Sequence, residues 1–279
     1  MMMNLKIKAF LSLSGALALC AVAVQAQRHG GGPPFGAPME LMGFEGMHGG
    51  KTVTGAPFSA TASSETTQTL QDGSVIHRTS QVSMYRDSQG RSRHEATFNG
   101  FGALGASGTP KTMVSISDPV AGVRIMLDAD HKVAHKSAFR PHGGNNANAG
   151  SAQSFEARMQ AREQKEEAAG LLKKESLGSQ TIDGVVAEGT RVTHIIPAGQ
   201  IGNEKPLQIV SERWYSPDLQ IVLKSSRTDP RFGTTTYTVT SVQRTEPAAT
   251  LFSVPSDYTV QAGGRGRGGM APTKSPSVN

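Results

Sequence analysis

Short β-branched segments separated by turn residues fill most of the chain between residues 51 and 261. Hairpin signals recur about every dozen residues, which is typical of an antiparallel sheet. Asp72–Gly73 and Asp183–Gly184 each lie between two such segments, and both dipeptides favour two-residue hairpin loops. We therefore predict a mainly β domain over residues 51–261.

Two later turns extend this pattern. Ser216-Pro-Asp-Leu219 places a proline where a type I turn requires φ near −65°. Asp229-Pro-Arg-Phe-Gly233 precedes residues 234–244, whose Thr-Tyr-Thr-Val-Thr core has the composition of a strand. Both turns predict further antiparallel pairing.

Residues 85–95 form the most distinctive predicted hairpin. Asp87 opens a type I turn with Gly90 in the left-handed position, which pairs Asp87 with Arg91 and Tyr85 with Arg93. One face then carries an Asp–Arg ion pair and an arginine stacked on Tyr85. The other face carries Val82, Met84, His94 and Ala96.

Two interpretations of this hairpin stay open. The first is a solvated sheet face whose charges neutralise one another. The second is a surface for an anionic partner, because the arginines outnumber the local acids. The residues of this candidate surface are Tyr85, Arg86, Arg91 and Arg93.

Residues 154–175 depart from the β pattern. They are rich in Ala, Glu, Gln, Lys and Arg, follow a Gly/Asn-rich linker at 143–150, and begin with Ser154 as an N-cap. Gly170 is a weak point near the end. We predict one inserted helix that lies on the sheet or stands partly free, within a linker-and-helix region at about 143–175.

The N-terminal 26 residues have the pattern of a secretory signal peptide. Lys6 and Lys8 precede an apolar run over residues 9–24, and small residues lead to a cleavage site after Ala26. The mature chain is then periplasmic or extracellular. The alternative is lipidation of Cys20, but Leu19 stands where a lipobox requires a small residue.

Both ends of the mature chain are predicted to be flexible. Residues 27–50 and 262–279 are rich in Gly and Pro without periodicity. Residues 263–269 resemble an arginine–glycine RNA-binding box, although export favours a solvated spacer. The formal charge falls from +6 to +4 without the two signal lysines, and its even distribution predicts no nucleic-acid partner.

Candidate chemistry is sparse. Cleavage removes the only cysteine, which excludes disulfides, thiolate catalysis and cysteine metal sites. His131 and His135 have helical metal-pair spacing, yet residues 123–137 read as a hairpin, which separates the two rings. A soft-ligand cluster for Cu(I) stays open in the N-terminal tail. Its members are Met39, Met42, Met47 and His48.

The chain contains no sequence motif of a known enzyme class. We predict no enzymatic activity, no metal and no cofactor. Catalysis by residues from distant strands stays an alternative, since His77, His94 and His194 lie near acids.

Several strings resemble a group of uncharacterised secreted bacterial proteins that has no assigned activity. They are Gly55-Ala-Pro-Phe-Ser-Ala60, residues 85–95, Ile116-Ser-Asp-Pro-Val-Ala-Gly122, Ile182-Asp-Gly184, Ser211-Glu-Arg-Trp-Tyr-Ser-Pro217, Asp229-Pro-Arg-Phe-Gly233 and Leu251-Phe-Ser-Val-Pro-Ser-Asp-Tyr258.

More distantly, the Trp-x-Ser-Pro hairpin and the closing Leu-Phe-x-Val-Pro segment are similar to the carriers LolA and LolB and to the RseB sensor. This resemblance implies a strongly curved antiparallel sheet, an open half-barrel whose concave face accepts acyl chains. The carriers have helices early in the chain, whereas the helix here is inserted mid-chain.

These features predict a non-enzymatic envelope protein that binds an apolar or lipid-like ligand in a curved sheet. The predicted interior residues are Ile209, Trp214, Leu223, Val239 and Phe252. The alternative is an envelope sensor or interaction module that acts through a protein partner.

Overall fold

The computed structural model describes residues 52–98, 111–139 and 149–262. The predicted signal peptide with Cys20 lies outside these residues. So do the Met/His cluster, most of the linker before the helix, the segment 27–50 and the tail from residue 263.

Within the described residues the chain forms twelve strands, one α-helix and one 3₁₀ helix. The strands are β1 (Phe58–Thr69), β2 (Val75–Arg86), β3 (Ser92–Phe98), β4 (Lys111–Asp118), β5 (Val123–Asp128), β6 (Val133–Ala138), β7 (Leu172–Ile182), β8 (Val185–Ile196), β9 (Leu207–Ser216), β10 (Ile221–Asp229), β11 (Gly233–Gln243) and β12 (Thr259–Ala262). Helix α1 covers Ala149–Ala168, and the 3₁₀ helix covers Ala249–Phe252.

All of these strands belong to one sheet, in the order β12-β6-β5-β4-β3-β2-β1-β11-β10-β9-β8-β7. The run β1–β6 and the run β7–β11 meet where β1 pairs with β11. Pairing in the described part is antiparallel except between β12 and β6, which are parallel. The sheet ends at β7 and β12 and does not close, which confirms the predicted open, mainly β architecture with one helix.

The predicted turns connect antiparallel strands. Asp183 and Gly184 both have positive φ, +47° and +78°, as a two-residue type I′ loop requires. In the turn at Ser216, the hydroxyl accepts a hydrogen bond from the backbone N–H of Leu219 at 3.3 Å. β9 and β10 then pair from Ser216 and Ile221 onwards.

The turn at Asp72 differs from the predicted two-residue loop. The N–H of Leu70 donates to the Ser74 carbonyl at 2.8 Å, and the N–H of Gly73 donates to the Leu70 carbonyl at 3.0 Å. The loop therefore has three residues. Asp72 explains the difference, because its carboxylate accepts from the N–H of Ser74 at 2.9 Å and supports the longer turn.

The hairpin at 85–95 has the predicted register. The N–H of Gly90 donates to the Asp87 carbonyl at 3.1 Å, and the N–H of Asp87 donates to the Arg91 carbonyl at 3.0 Å. Tyr85 pairs with Arg93, and Gly90 has φ +85°. The three-residue loop is confirmed.

One face of β1 and β2 is apolar, and we call it the inner face of the sheet. Its residues on these strands are Phe58, Ala60, Ala62, Val82 and Met84, each at most 6% exposed. They pack with apolar residues of β3, β8, β10 and β11 in a cluster that we call the central core. Tyr237 and Val239 of β11 are also almost fully buried there.

The sheet curls towards its inner face. Arg86, on the inner face at the end of β2, donates to the carbonyl of Leu219 in the β9–β10 turn at 2.5 Å. β2 and β10 are three positions apart in the sheet, or about 14 Å if the sheet were flat. The Asp183 carboxylate likewise accepts from the N–H of Val242, although two strands separate β8 from β11.

A second cluster lies on the outer face of β4–β6, and we call it the lateral core. It contains Val114, Ile116, Ile125, Leu127, Ala134 and Phe252. Phe252 comes from the segment 244–258, which leaves β11 in the middle of the sheet and runs to β12 at the edge. This crossover segment covers the outer face of β4–β6.

Helix α1 lies beside β7 and contacts it through charged side chains. Lys174 of β7 bonds to Glu163 at 2.7 Å and lies 3.3 Å from Glu167. His194 of β8 lies 3.7 Å from Glu166. Nearly all described side chains of α1 are exposed, so the helix stands partly free, as one of the two predicted arrangements has it.

Candidate ligand-binding site

The inner face changes from apolar to polar at β3. Strand pairing places two rows of side chains across β2, β3, β4 and β5 on this face. The first row is Arg86, Ser92, Ser117 and Arg124, and the second row is Met84, His94, Ser115 and Met126. We call the six polar residues of these rows the polar strip.

Arg86 is buried. Among the described residues, its guanidinium donates hydrogen bonds only to backbone carbonyl oxygens. Its Nε and Nη2 donate to the Ala56 carbonyl at 3.0 and 2.8 Å, and its guanidinium lies 4.8 Å from the ring centroid of Phe58. Burial lowers the pKa of Arg86 to about 10, and the nearby Tyr215 hydroxyl acts in the opposite direction. The group therefore stays protonated at neutral pH and carries a positive charge onto the inner face.

His94 lies next to this charge in the second row. Burial lowers the pKa of His94 to about 4, and the positive charges of Arg124 and Arg86 lower it further in the same direction. The imidazole is therefore neutral at physiological pH. The prediction that His94 shares a face with Val82 and Met84 agrees with the strand register.

Arg124 ends the first row and is half-buried. Ile125 and Leu127, which alternate with the inner-face residues of β5, lie on the outer face and pack in the lateral core. This alternation along Val123–Asp128 explains why an arginine reaches the inner face of an otherwise apolar strand.

The five predicted interior residues are divided between different regions. Leu223 and Val239 are almost fully buried, with 0% and 1% solvent exposure, and belong to the central core. Trp214 is half-buried against the same cluster, with its ring close above Gly189. Ile209 is buried on β9. Their role in binding a ligand stays a prediction.

Phe252 does not join the other four. It lies in the lateral core, with the Arg91 guanidinium 5.2 Å from its ring centroid. The reason is the crossover segment, which carries the residue over the outer face after β11 ends.

At residues 85–93 the structure differs from the solvated face that is one of the two interpretations of this hairpin. Arg86 lies on the inner face and is 8% exposed, so it is not a surface residue. Arg91 bonds to the buried Asp87 at 2.5 Å. Arg93 bonds to Glu95 and to the Leu251 carbonyl, and Tyr85 packs against the lateral core. The crossover segment covers this face, which sequence spacing alone did not reveal.

Arg86 and His94 of the polar strip stand out in the sequence, whereas its other members do not. Ser115, Ser117 and Arg124 carry no motif, and their position depends on the pairing of β3 with β4 and of β4 with β5. The alternation of polar and apolar residues along residues 113–128 was the available signal.

Other candidate groups lie apart from the strip. His131 is exposed in the β5–β6 turn, 2.7 Å from the Asp128 carboxylate, and His135 is exposed on β6. Among the described residues, no group of three histidine, cysteine or acidic side chains has a geometry suited to a metal ion. The described helix is not long and apolar enough to cross a membrane.

No protein-family model matches this chain, and no curated protein matches it either. Among solved structures, the chain is similar to MucB from the MucA/MucB complex of Pseudomonas aeruginosa, with 14% identity and a TM-score of 0.37. That match covers 80% of this chain and 62% of the MucB chain, so this chain spans less than two thirds of the MucB length.

The chain is also similar to two smaller proteins. The Mycobacterium tuberculosis lipoprotein LppX matches at 11% identity and a TM-score of 0.27, covering 76% of this chain and 96% of its own. A LolA superfamily protein of Nitrosomonas europaea matches at 9% identity and a TM-score of 0.27, covering 78% and 96%. LolA is also one of the proteins that the sequence resembles distantly, and these likenesses concern the fold alone.

Proposed function

We propose that this protein is an exported, non-catalytic binding protein that holds an amphipathic ligand on the inner face of its curved sheet. The observation that supports the proposal is the change from apolar to polar side chains along that face. Over β1, β2, β10 and β11 the central core is filled by buried apolar side chains, whereas over β3–β5 buried and half-buried polar side chains take their place.

The polar strip has an apolar neighbour. On the inner face, Met126 is the residue next to Arg124 on β5, and Met113 is the residue next to Ser115 on β4. Met113 is 41% exposed and Met126 is half-buried. Unbranched methionine side chains adapt to irregular apolar shapes. A ligand lying along β4 and β5 would therefore meet methionines at one end and Arg124 at the other.

A titration of the mature chain with lauric acid tests this proposal. We expect saturable binding, since each buried CH₂ contributes about 0.8 kcal/mol. Met126→Glu should weaken binding about tenfold or more, because it places a carboxylate beside the alkyl chain. Val120→Glu is the matched control, since Val120 is 67% exposed in the β4–β5 turn. Absence of saturable binding by the folded wild type would refute the proposal.

Export is the second part of the proposal and has a separate test. Protein recovered from the periplasm or medium should begin at Gln27, as the small residues before Ala26 predict. A lipid-modified Cys20 would instead place the protein on a membrane.

A protein partner is the second candidate function. Several exposed apolar side chains lie in or directly beside hairpin loops at one end of the sheet, namely Leu70, Val75, Ile201 and Phe232, at 39–57% exposure. A photo-crosslinking residue at position 232 should give a discrete adduct in cells, whereas the same residue at Val186 should not. Equal labelling from both positions would contradict a specific partner at this end.

A further inference from the structure

Arg124 differs from Arg86, the other arginine of the two rows, in having no hydrogen-bond or ion-pair partner among the described residues. Within the part of the chain that the structure describes, its guanidinium makes no hydrogen bond and no ion pair, although it is half-buried. Arg86, by contrast, has three hydrogen bonds to carbonyl oxygens. A guanidinium removed partly from water without an acceptor is unfavourable, and it favours binding of an anion.

Two serine hydroxyl groups lie beside Arg124. Ser117 pairs directly with Arg124 across β4 and β5, and Ser115 is the next inner-face residue of β4. They are 6% and 7% exposed, and neither hydroxyl has a hydrogen-bond partner among the described residues. Neither Oγ atom is fully enclosed by protein, so a ligand oxygen on this face can supply the missing partner.

The local charge has the sign that such a ligand requires. The two rows contain Arg86 and Arg124 and no carboxylate. The first acid on the inner face of β5 is Asp128, whose carboxylate accepts hydrogen bonds from His131 in the adjacent turn. The polar strip therefore contains two positive charges and no carboxylate.

We propose that Arg124, Ser115 and Ser117 bind the oxyanion of an amphiphile, a carboxylate or a phosphate ester, on the inner face of the sheet. This rests on the proposed function, which places the apolar part of the same ligand against the methionines. Arg124 supplies charge-assisted hydrogen bonds, and the two serines supply neutral ones.

Isothermal titration with four probes tests the proposal. Lauric acid and lauryl phosphate carry the two kinds of oxyanion, lauryl alcohol has the same chain without charge, and inorganic phosphate has the charge without a chain. Each is titrated into wild type, Arg124→Gln and Arg124→Lys. Arg78→Gln is the matched control, because Arg78 lies on the inner face of β2 but is exposed and outside the strip.

We expect Arg124→Gln to weaken binding of lauric acid and lauryl phosphate about 10- to 100-fold, as loss of a charge-assisted hydrogen bond does. Binding of lauryl alcohol should be unchanged. Arg124→Lys should retain most of the preference for the anionic probes, and the unchanged binding of lauryl alcohol shows that Arg124→Gln folds. Arg78→Gln should behave like wild type.

The outcomes separate the two proposals. Equal binding of lauric acid and lauryl alcohol, with no effect of Arg124→Gln, would overturn the oxyanion site and leave the amphiphile proposal in place. Binding of inorganic phosphate that depends on Arg124, without binding of the chain-bearing alcohol, would support an anion site and overturn the amphiphile proposal. Absence of binding by all four probes would overturn both.

Discussion

Acidification should destabilise this protein through His94. The imidazole has a pKa of about 4 in the folded protein, against 6.5 as its ordinary value. Between these two pH values the unfolded chain holds a proton on this ring that the folded protein does not hold. Stability therefore falls as the pH falls from 6.5 towards 4, and the neutral ring contributes fully only above 6.5.

The magnitude follows from the size of the pKa shift. One pKa unit corresponds to about 1.4 kcal/mol, so His94 alone accounts for a loss of about 3 kcal/mol across this interval. Its causes are burial first and the charges of Arg124 and Arg86 second. A variant that lacks only the His94 ring keeps all other titrating groups, so its difference from wild type isolates the contribution of His94.

Urea denaturation followed by fluorescence of Trp214, the single tryptophan, measures the effect between pH 7 and pH 4. Wild type should lose about 3 kcal/mol more than His94→Gln over this range. His77→Gln removes an exposed imidazole and is the matched control. If wild type and His94→Gln lose stability in parallel, the inference that His94 is neutral in a buried cationic surrounding is wrong.

Three substitutions test the packing and the turns by thermal denaturation. Gly233→Ala should cost about 3 kcal/mol or more, because its Cβ would lie within 3 Å of backbone atoms of Thr67 and φ is +90°; an unchanged Tm would contradict the tight β11–β1 approach. Gly90→Val should cost at least about 1–2 kcal/mol, since φ is +85° and the Val53 carbonyl is 2.9 Å from the added Cβ. Arg86→Met should cost about 3 kcal/mol by leaving two carbonyl groups without donors, and a stable variant would refute its role in the curl.

The sequence predicted the sheet well because local chemistry determines hairpins. Asp183–Gly184 and Asp87–Gly90 specify turn geometry within four residues, and the strands they join follow directly. The existence of the inserted helix was readable from composition, but its bounds were not: it covers Ala149–Ala168, so Ser154 lies inside it and residues 172–175 already belong to β7. The parallel pairing of β12 with β6 was missed, since no local signal connects residues 259–262 with residues 133–136.

The candidate site was harder to predict because it depends on contacts between distant residues. Arg86 was assigned to a surface, and its burial follows from the approach of Leu219, 133 positions later. Phe252 was assigned to the inner face because strand alternation was continued past the end of β11. Arg124 becomes visible only when the register of β4 and β5 is known.

The junction of β1 with β11 has a consequence for the order of folding. Thr66 and Thr235, which face each other there, are 169 positions apart in the chain. Since the chain is synthesised from its N-terminus, β1 keeps one unpaired edge until β11 has been made. Pairing between such distant segments is slow, and an exposed edge strand is open to aggregation. Glu65 and the hydroxyl side chains along Phe58–Thr69 limit this hazard, and this edge of β1 is covered only when β11 arrives.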